Sequence, residues 1–183
     1  MYKIWRMFLG IVLACGLVTG VSVADAHSMT QDEVTLILDK GDNLQGQIKI
    51  GDTLGVVADL LGNDCKKTDF QGEGIRMVAF TYSNGDKFYG RTSAKDTRPA
   101  EELPLAGYRL QSNVLHTPSG ITVGTPFDKV VEQFGLGRKS KSHSTAKEEI
   151  SIYYYDVYHG VRELCFDVNA EGLVNKIVYR QEV

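Results

Sequence analysis

Four histidines and three cysteines are the side chains of this 183-residue chain best suited to nucleophilic, acid–base or metal chemistry. Their spacing organises none of it. His27, His116, His143 and His159 are dispersed, and His143 precedes Glu148 and Glu149 without the helical H-E-x-x-H geometry that sets two imidazoles on one zinc ion. No C-x-x-C and no Cys/His cluster is present, so zinc and haem attachment find no support. There is no G-x-S-x-G elbow to single out a serine, and no P-loop or G-x-G-x-x-G to cradle phosphates. Asp167-Val-Asn169-Ala-Glu171-Gly172 opens like a calcium loop, but its twelfth position is Val178 and its flanks read as strands, so a polar turn is expected. The expectation is a chain with no catalytic residue, cofactor or metal.

Aromatic placement is more suggestive. Tyr153, Tyr154, Tyr155 and Tyr158 crowd one hairpin, and Tyr82, Phe88 and Tyr89 occupy another. Side chains alternate across a strand, so if Ile150, Ile152 and Tyr154 point inward, Tyr153 and Tyr155 lie outward with Glu163, Asp167, Lys176 and Arg180. Tyrosine buries a large area and keeps a hydroxyl to satisfy, which suits a protein-binding face. Tyr153, Tyr155, Tyr158, Tyr82 and Tyr89 are therefore the candidate partner-binding residues, weighed against the general enrichment of aromatics in strands.

The elements that must position them come from an internal repeat. Ile48 to Gly62 returns, 73 residues on, as Ile121 to Gly135, with apolar, glycine and acidic positions matched. Each copy reads as an apolar lead-in, a helix start, two helical turns and a glycine stop. In the second copy Thr125 and Pro126 suit a helix start, and Phe127, Val130, Val131 and Phe134 make one apolar stripe. Strands are expected at 76–82 and 87–92 around the Asn84-Gly85 turn, at 105–111, and at 150–157, 161–168 and 173–180. The expected fold is α+β, a tandem repeat of two units (27–104 and 105–183), each a short helix packed on an antiparallel meander. The acidic, proline-bearing Lys95 to Pro104 forms the connection.

Residues 1–26 read as a secretory signal peptide: Lys3 and Arg6, an apolar run from Met7 to Val23, and Ala24-Asp25-Ala26 as the processing site. A lipid anchor at Cys15, in Val12-Leu13-Ala14-Cys15, is the lesser alternative. Processing leaves Cys65 and Cys165, which could form one disulfide in an oxidising compartment or stay reduced. Formal net charge is -3, and no basic run goes beyond Arg138-Lys139-Ser140-Lys141, so a polyphosphate partner is not suggested.

The pattern G-[DT]-x-x-x-x-V-x-x-x-x-G, at Gly51 to Gly62 and Gly124 to Gly135, followed by Leu164 to Ile177 with Phe166-Asp167, Gly172 and Val174, resembles the SmpA/OmlA and β-lactamase-inhibitor-protein-like modules of bacterial envelope and secreted proteins. The resemblance implies a non-enzymatic role, in assembly of envelope proteins or in gripping a secreted enzyme. The chain is thus expected to be exported, periplasmic, envelope-associated or secreted, and to bind another envelope or extracellular protein, not nucleic acid, with no membrane span after processing. A secreted inhibitor, or a hydrolase without a recognisable motif, are the alternatives.

Overall fold

The computed structural model describes residues 26–41, 45–140, 150–158 and 161–181. The expected signal peptide, Cys15, His143 and His159 lie outside them.

In chain order the elements are β1 (Leu36–Asp39), β2 (Gln45–Ile48), α1 (Leu54–Leu61), β3 (Cys65–Gly72), β4 (Ile75–Tyr82), β5 (Lys87–Ser93), a single 3-10 turn (Ala100–Glu102), β6 (Leu105–Leu110), α2 (Phe127–Phe134), β7 (Arg138–Ser140), β8 (Ser151–Val157), β9 (Arg162–Val168) and β10 (Val174–Gln181). β1 and β2 pair only with each other. The remaining strands form one antiparallel sheet in the order β3-β4-β5-β6-β10-β9-β8-β7.

This corrects the expected α+β tandem of separate helix-on-meander units. The chain is mostly strand, and its two meanders fuse where β10 pairs with β6, setting Ile177 opposite Leu110 and Tyr179 opposite Tyr108. The reason is physical. A meander ending at β6 would leave a row of backbone donors and acceptors and a fringe of buried-type side chains at an open edge; pairing with β10 satisfies both. Tyr108 and Tyr179 stack at the seam with ring centroids 5.5 Å apart, and both are buried. The Tyr108 hydroxyl donates to the Val34 carbonyl at 2.9 Å, so the N-terminal segment that leads into β1 packs over the seam. The expected boundary at 104/105 falls just before β6, which pairs with β5 as well as with β10, so sheet and core run across it.

The helices form where the repeat places them. Thr53 caps α1, its hydroxyl oxygen accepting from the Val56 amide. At α2 the capping position is Pro126, with no side-chain bond, and Thr125 Oγ1 accepts from the Thr122 amide instead. Phe127, Val130 and Phe134 are buried beneath α2, as the stripe requires. Gly135 ends it at φ 77°, a left-handed conformation that a side chain would strain.

Candidate binding face

Both helices and the β1–β2 hairpin lie on one side of the eight-stranded sheet. Strand alternation sends Phe80, Phe88, Tyr108, Tyr179, Leu164, Phe166, Tyr155 and Val157 to that side, and all are buried. Contact is close: a Cβ on Gly90 of β5 would sit 2.9 Å from a methyl of Leu54 on α1. The opposite side of the sheet is covered by no described element.

That open face divides electrostatically. On β10, β9 and β8 its charges are matched: Lys176 stands opposite Asp167, and Arg180 opposite Glu163. Lys176 is ion-paired with Asp167. Glu163, 4% exposed, accepts from Arg138 Nη2 at 3.1 Å and Arg180 Nη2 at 3.3 Å, while Arg138 also donates to Asp156 at 2.8 Å. The Asp156 carboxylate holds the Arg138 guanidinium more firmly charged than usual. Tyr154 lies beneath Arg180, whose guanidinium carbon is 5.8 Å from the ring centroid.

Across β3 to β6 the open face carries Lys66, Lys87, Arg91 and Arg109 and no acid at any open-face position. Register makes Lys87 the direct cross-strand partner of Arg109. Like charges opposite each other destabilise an antiparallel pair. Neither has an ion-pair partner among the described residues. Around them are half-buried Tyr89 and exposed Phe70 and Met77, at 64% and 40%. This half is a basic surface interleaved with aromatic and aliphatic contacts.

The candidate tyrosines scatter. Tyr155 is buried, against the expectation that it faces outward: its hydroxyl donates to the Gly135 carbonyl at 3.0 Å, its ring meets Phe166 edge-on, and burial pushes its pKa up to about 12. Tyr82 is also buried, donating to the Gly62 carbonyl at 3.0 Å, with its pKa likewise raised to about 12, chiefly by burial. Tyr153 faces α2, stacked on Phe127 at 4.0 Å. Tyr158 is exposed just beyond β8 at φ 54°. Tyr89 alone of the five stands on the open face. The expected row of Glu163, Asp167, Lys176 and Arg180 does share that face, but its tyrosine is Tyr154. The inward phase of β8 is set by Tyr155 and Val157, both buried in the core, and not by Ile152, which is only half-buried.

Cys65 and Cys165 do not pair. β3 and β9 are five strand spacings apart, about 24 Å along the sheet, far beyond the reach of an S–S bond. Cys165 is buried on the open face beneath its charged neighbours, and burial pushes its thiol pKa to about 12. His27 bonds Glu33 at 3.0 Å, and His116 bonds Asp39 at 3.2 Å and the Thr117 carbonyl at 2.7 Å; among the described residues neither imidazole is hydrogen-bonded to a hydroxyl or thiol. The Asp167–Gly172 segment closes as a turn, with Asn169 Oδ1 accepting from the amides of Glu171 and Leu173. Among the described residues no group of three or more His, Cys, Asp or Glu could hold a metal ion, and no helix is long and apolar enough to cross a membrane.

No protein-family model matches the chain, and no curated protein matches it. Among solved structures it is similar to a cysteine-rich secretory protein from Staphylococcus aureus, with 10% sequence identity, a TM-score of 0.42, and coverage of 73% of this chain. The match spans 44% of that protein, less than half its length. A likeness this loose carries no function across.

Proposed function

We propose that this chain is an exported, non-catalytic binding module that docks an acidic surface of another envelope or extracellular protein on the β3–β6 half of its open sheet face. The observation that carries the reading is the register pair Lys87 and Arg109, two cations held opposite each other on the β3–β6 half of the face, which carries no acid at any open-face position. A fold gains nothing from that arrangement in isolation, whereas a partner carboxylate between the two would neutralise both. Phe70, Met77 and Tyr89 supply the apolar and aromatic area that interface cores use. The resemblance to envelope assembly and inhibitor modules supports the class of partner, and the signal-like first 26 residues support export.

The test is site-specific photo-crosslinking in cells that make the full chain. A photoreactive residue at Thr81, on the open face, is expected to give a discrete protein adduct, and one at Asp59, exposed on α1, is not. Adducts from Asp59 alone, or adducts to lipid alone from Thr81, would contradict the reading.

A further inference from the structure

β3 closes one end of the eight-stranded sheet, so the outer backbone edge of an eight-residue strand has no strand partner among the described residues. The opposite end is β7, three residues long. An open edge is a ready template for another strand, and proteins blunt it by shortness, proline, bulges or charge. β7 is blunted by its length. β3 has no proline and keeps one unbroken register with β4 from Cys65 to Gly72, and Lys66 through Gln71 are all exposed. Only its charges, Lys66, Lys67 and Asp69, stand against pairing.

The β3–β4 turn fixes which backbone groups face out. Glu73 and Gly74 close it at φ 52° and 79°, a two-residue hairpin loop in which Gly72 and Ile75 are the hydrogen-bonded pair. Bonded and unbonded pairs alternate along an antiparallel ladder, so Gly72, Phe70, Thr68 and Lys66 give their backbone groups to β4. Those of Gln71, Asp69 and Lys67 point outward. The far end of the hairpin agrees: the Tyr82 amide donates to the Asp86 carbonyl on the β5 side, so Tyr82 and Cys65 are an unbonded pair, and the Cys65 amide donates locally to the Asn63 carbonyl at 2.9 Å.

We infer that β3 pairs antiparallel with β3 of a second copy of this chain, centred on Thr68, joining two sheets into one. A two-fold axis normal to the sheet keeps both open faces on one side and sets outward backbone groups against outward backbone groups. With Thr68 opposite its own copy, Lys67 stands opposite Asp69 and Lys66 opposite Phe70, on both sides of the axis. The Lys67–Asp69 pairs are attractive, and within each chain Lys67 keeps Glu101 at 2.6 Å and Asp69 keeps Arg76 at 2.7 Å, so the charges alternate in sign. Each Phe70, 64% exposed, receives the stem and ammonium of a Lys66. Centring the axis on Lys67 or Asp69 would set like charges face to face, and centring it on Lys66 or Phe70 would shorten the ladder. The charges that deter a foreign strand thus favour this one. A single strand pair buries less than the roughly 1,200 Å² of a stable interface, so the dimer is weak and concentration-dependent. The pairing is independent of the docking reading, and a Thr81 photo-adduct of twice the chain's mass would report β3 and not the acidic partner.

The experiment is disulfide trapping in the protein purified after export, with Cys65→Ser removing the half-buried native thiol. Cα atoms of an unbonded antiparallel pair approach to about 4.5 Å, within reach of an S–S bond, so Thr68→Cys should oxidise to a covalent dimer. Lys66→Cys and Phe70→Cys, each about 14 Å from its own copy, should not. Sedimentation velocity of the wild-type chain should show a dimer growing in as concentration rises to about 1 mM. Lys67→Pro deletes an outward amide without taking a bond from β4, and should return the chain to monomer with unchanged circular dichroism. If that variant unfolds, trapping at Thr68 carries the test. A wild-type monomer at every concentration, equal crosslinking at 66, 68 and 70, a folded Lys67→Pro that still dimerises, or Thr68→Cys adducts only to a different protein would overturn the inference.

Discussion

The hydroxyl of Tyr155 donates to the main-chain carbonyl of Gly135 across 3.0 Å, tying the middle of β8 to the residue that ends α2. Tyr82 makes the same bond to Gly62 behind α1, again at 3.0 Å. Helix ends leave carbonyls without intrahelical partners, and here two buried phenols satisfy them. Tyr155→Phe keeps the ring against Phe134 and Phe166 but orphans the carbonyl, and should cost about 1–2 kcal/mol in urea unfolding. Tyr155→Ala adds a cavity and should cost about 3–5 kcal/mol. No loss for Tyr155→Phe would show that the hydroxyl is idle, and equal losses for the two would show that the ring contributes nothing to the core.

Alkaline pH should act through the same pair. Their folded pKa values, about 12, lie above the ordinary tyrosine value near 10 because burial disfavours the phenolate. A folded pKa raised above the unfolded one gives stability that is complete below about pH 10 and is lost as pH climbs through about 12. Stability measured by denaturant should therefore fall across that window, and Tyr82→Phe/Tyr155→Phe should flatten the fall. An unchanged slope in the double variant would contradict the assignment.

Asp86 is a second strut. Its buried carboxylate accepts from the amides of Gln111 and Ser112 at 2.7 and 3.0 Å, from Ser112 Oγ at 2.6 Å and from Asn84 Nδ2 at 2.8 Å. It pins the β4–β5 turn to the end of β6. Asp86→Ala takes the acceptor from four partly buried hydrogen bonds and should lower stability by about 2–3 kcal/mol. A loss under about 1 kcal/mol would mean that water replaces the carboxylate without difficulty.

The cysteines offer a check on strand order. In the native protein a thiol reagent should modify half-buried Cys65 and spare Cys165, which is buried and has its thiol pKa raised to about 12; unfolding should expose both. Intact mass should show two thiols after export. A mass two hydrogens lighter, with the Cys65–Cys165 peptide cross-linked, would rule out the eight-strand order.

Local features of the fold were legible in the residues. Asn84-Gly85 marks a hairpin because its glycine must take φ 91°, and Phe127, Val130 and Phe134 mark a helix because their spacing makes one stripe. The fusion of the two meanders was not legible, since Leu110 and Ile177 meet although they stand 67 positions apart in the sequence, and nothing local names their pairing. Three consecutive tyrosines at 153–155 blur the inward–outward phase, because each is as able to fill a core as to face outward. The basic half-face was hidden for a related reason. Lys66, Lys87 and Arg109 are scattered along the chain, and only the β3–β4–β5–β6 register sets them, with Thr81, in one row.

The docking claim is tested most directly by measuring stability and partner crosslinking together in Lys87→Glu. Opposite Arg109 the new carboxylate makes an attractive cross-strand pair where a repulsive one stood, so the free protein should become more stable by about 0.5–1 kcal/mol in urea unfolding. The same change places an acid in the path of an acidic partner, so the Thr81 photo-adduct should be lost. A variant that is destabilised, or that gains stability and still yields the adduct at the wild-type level, would contradict the account.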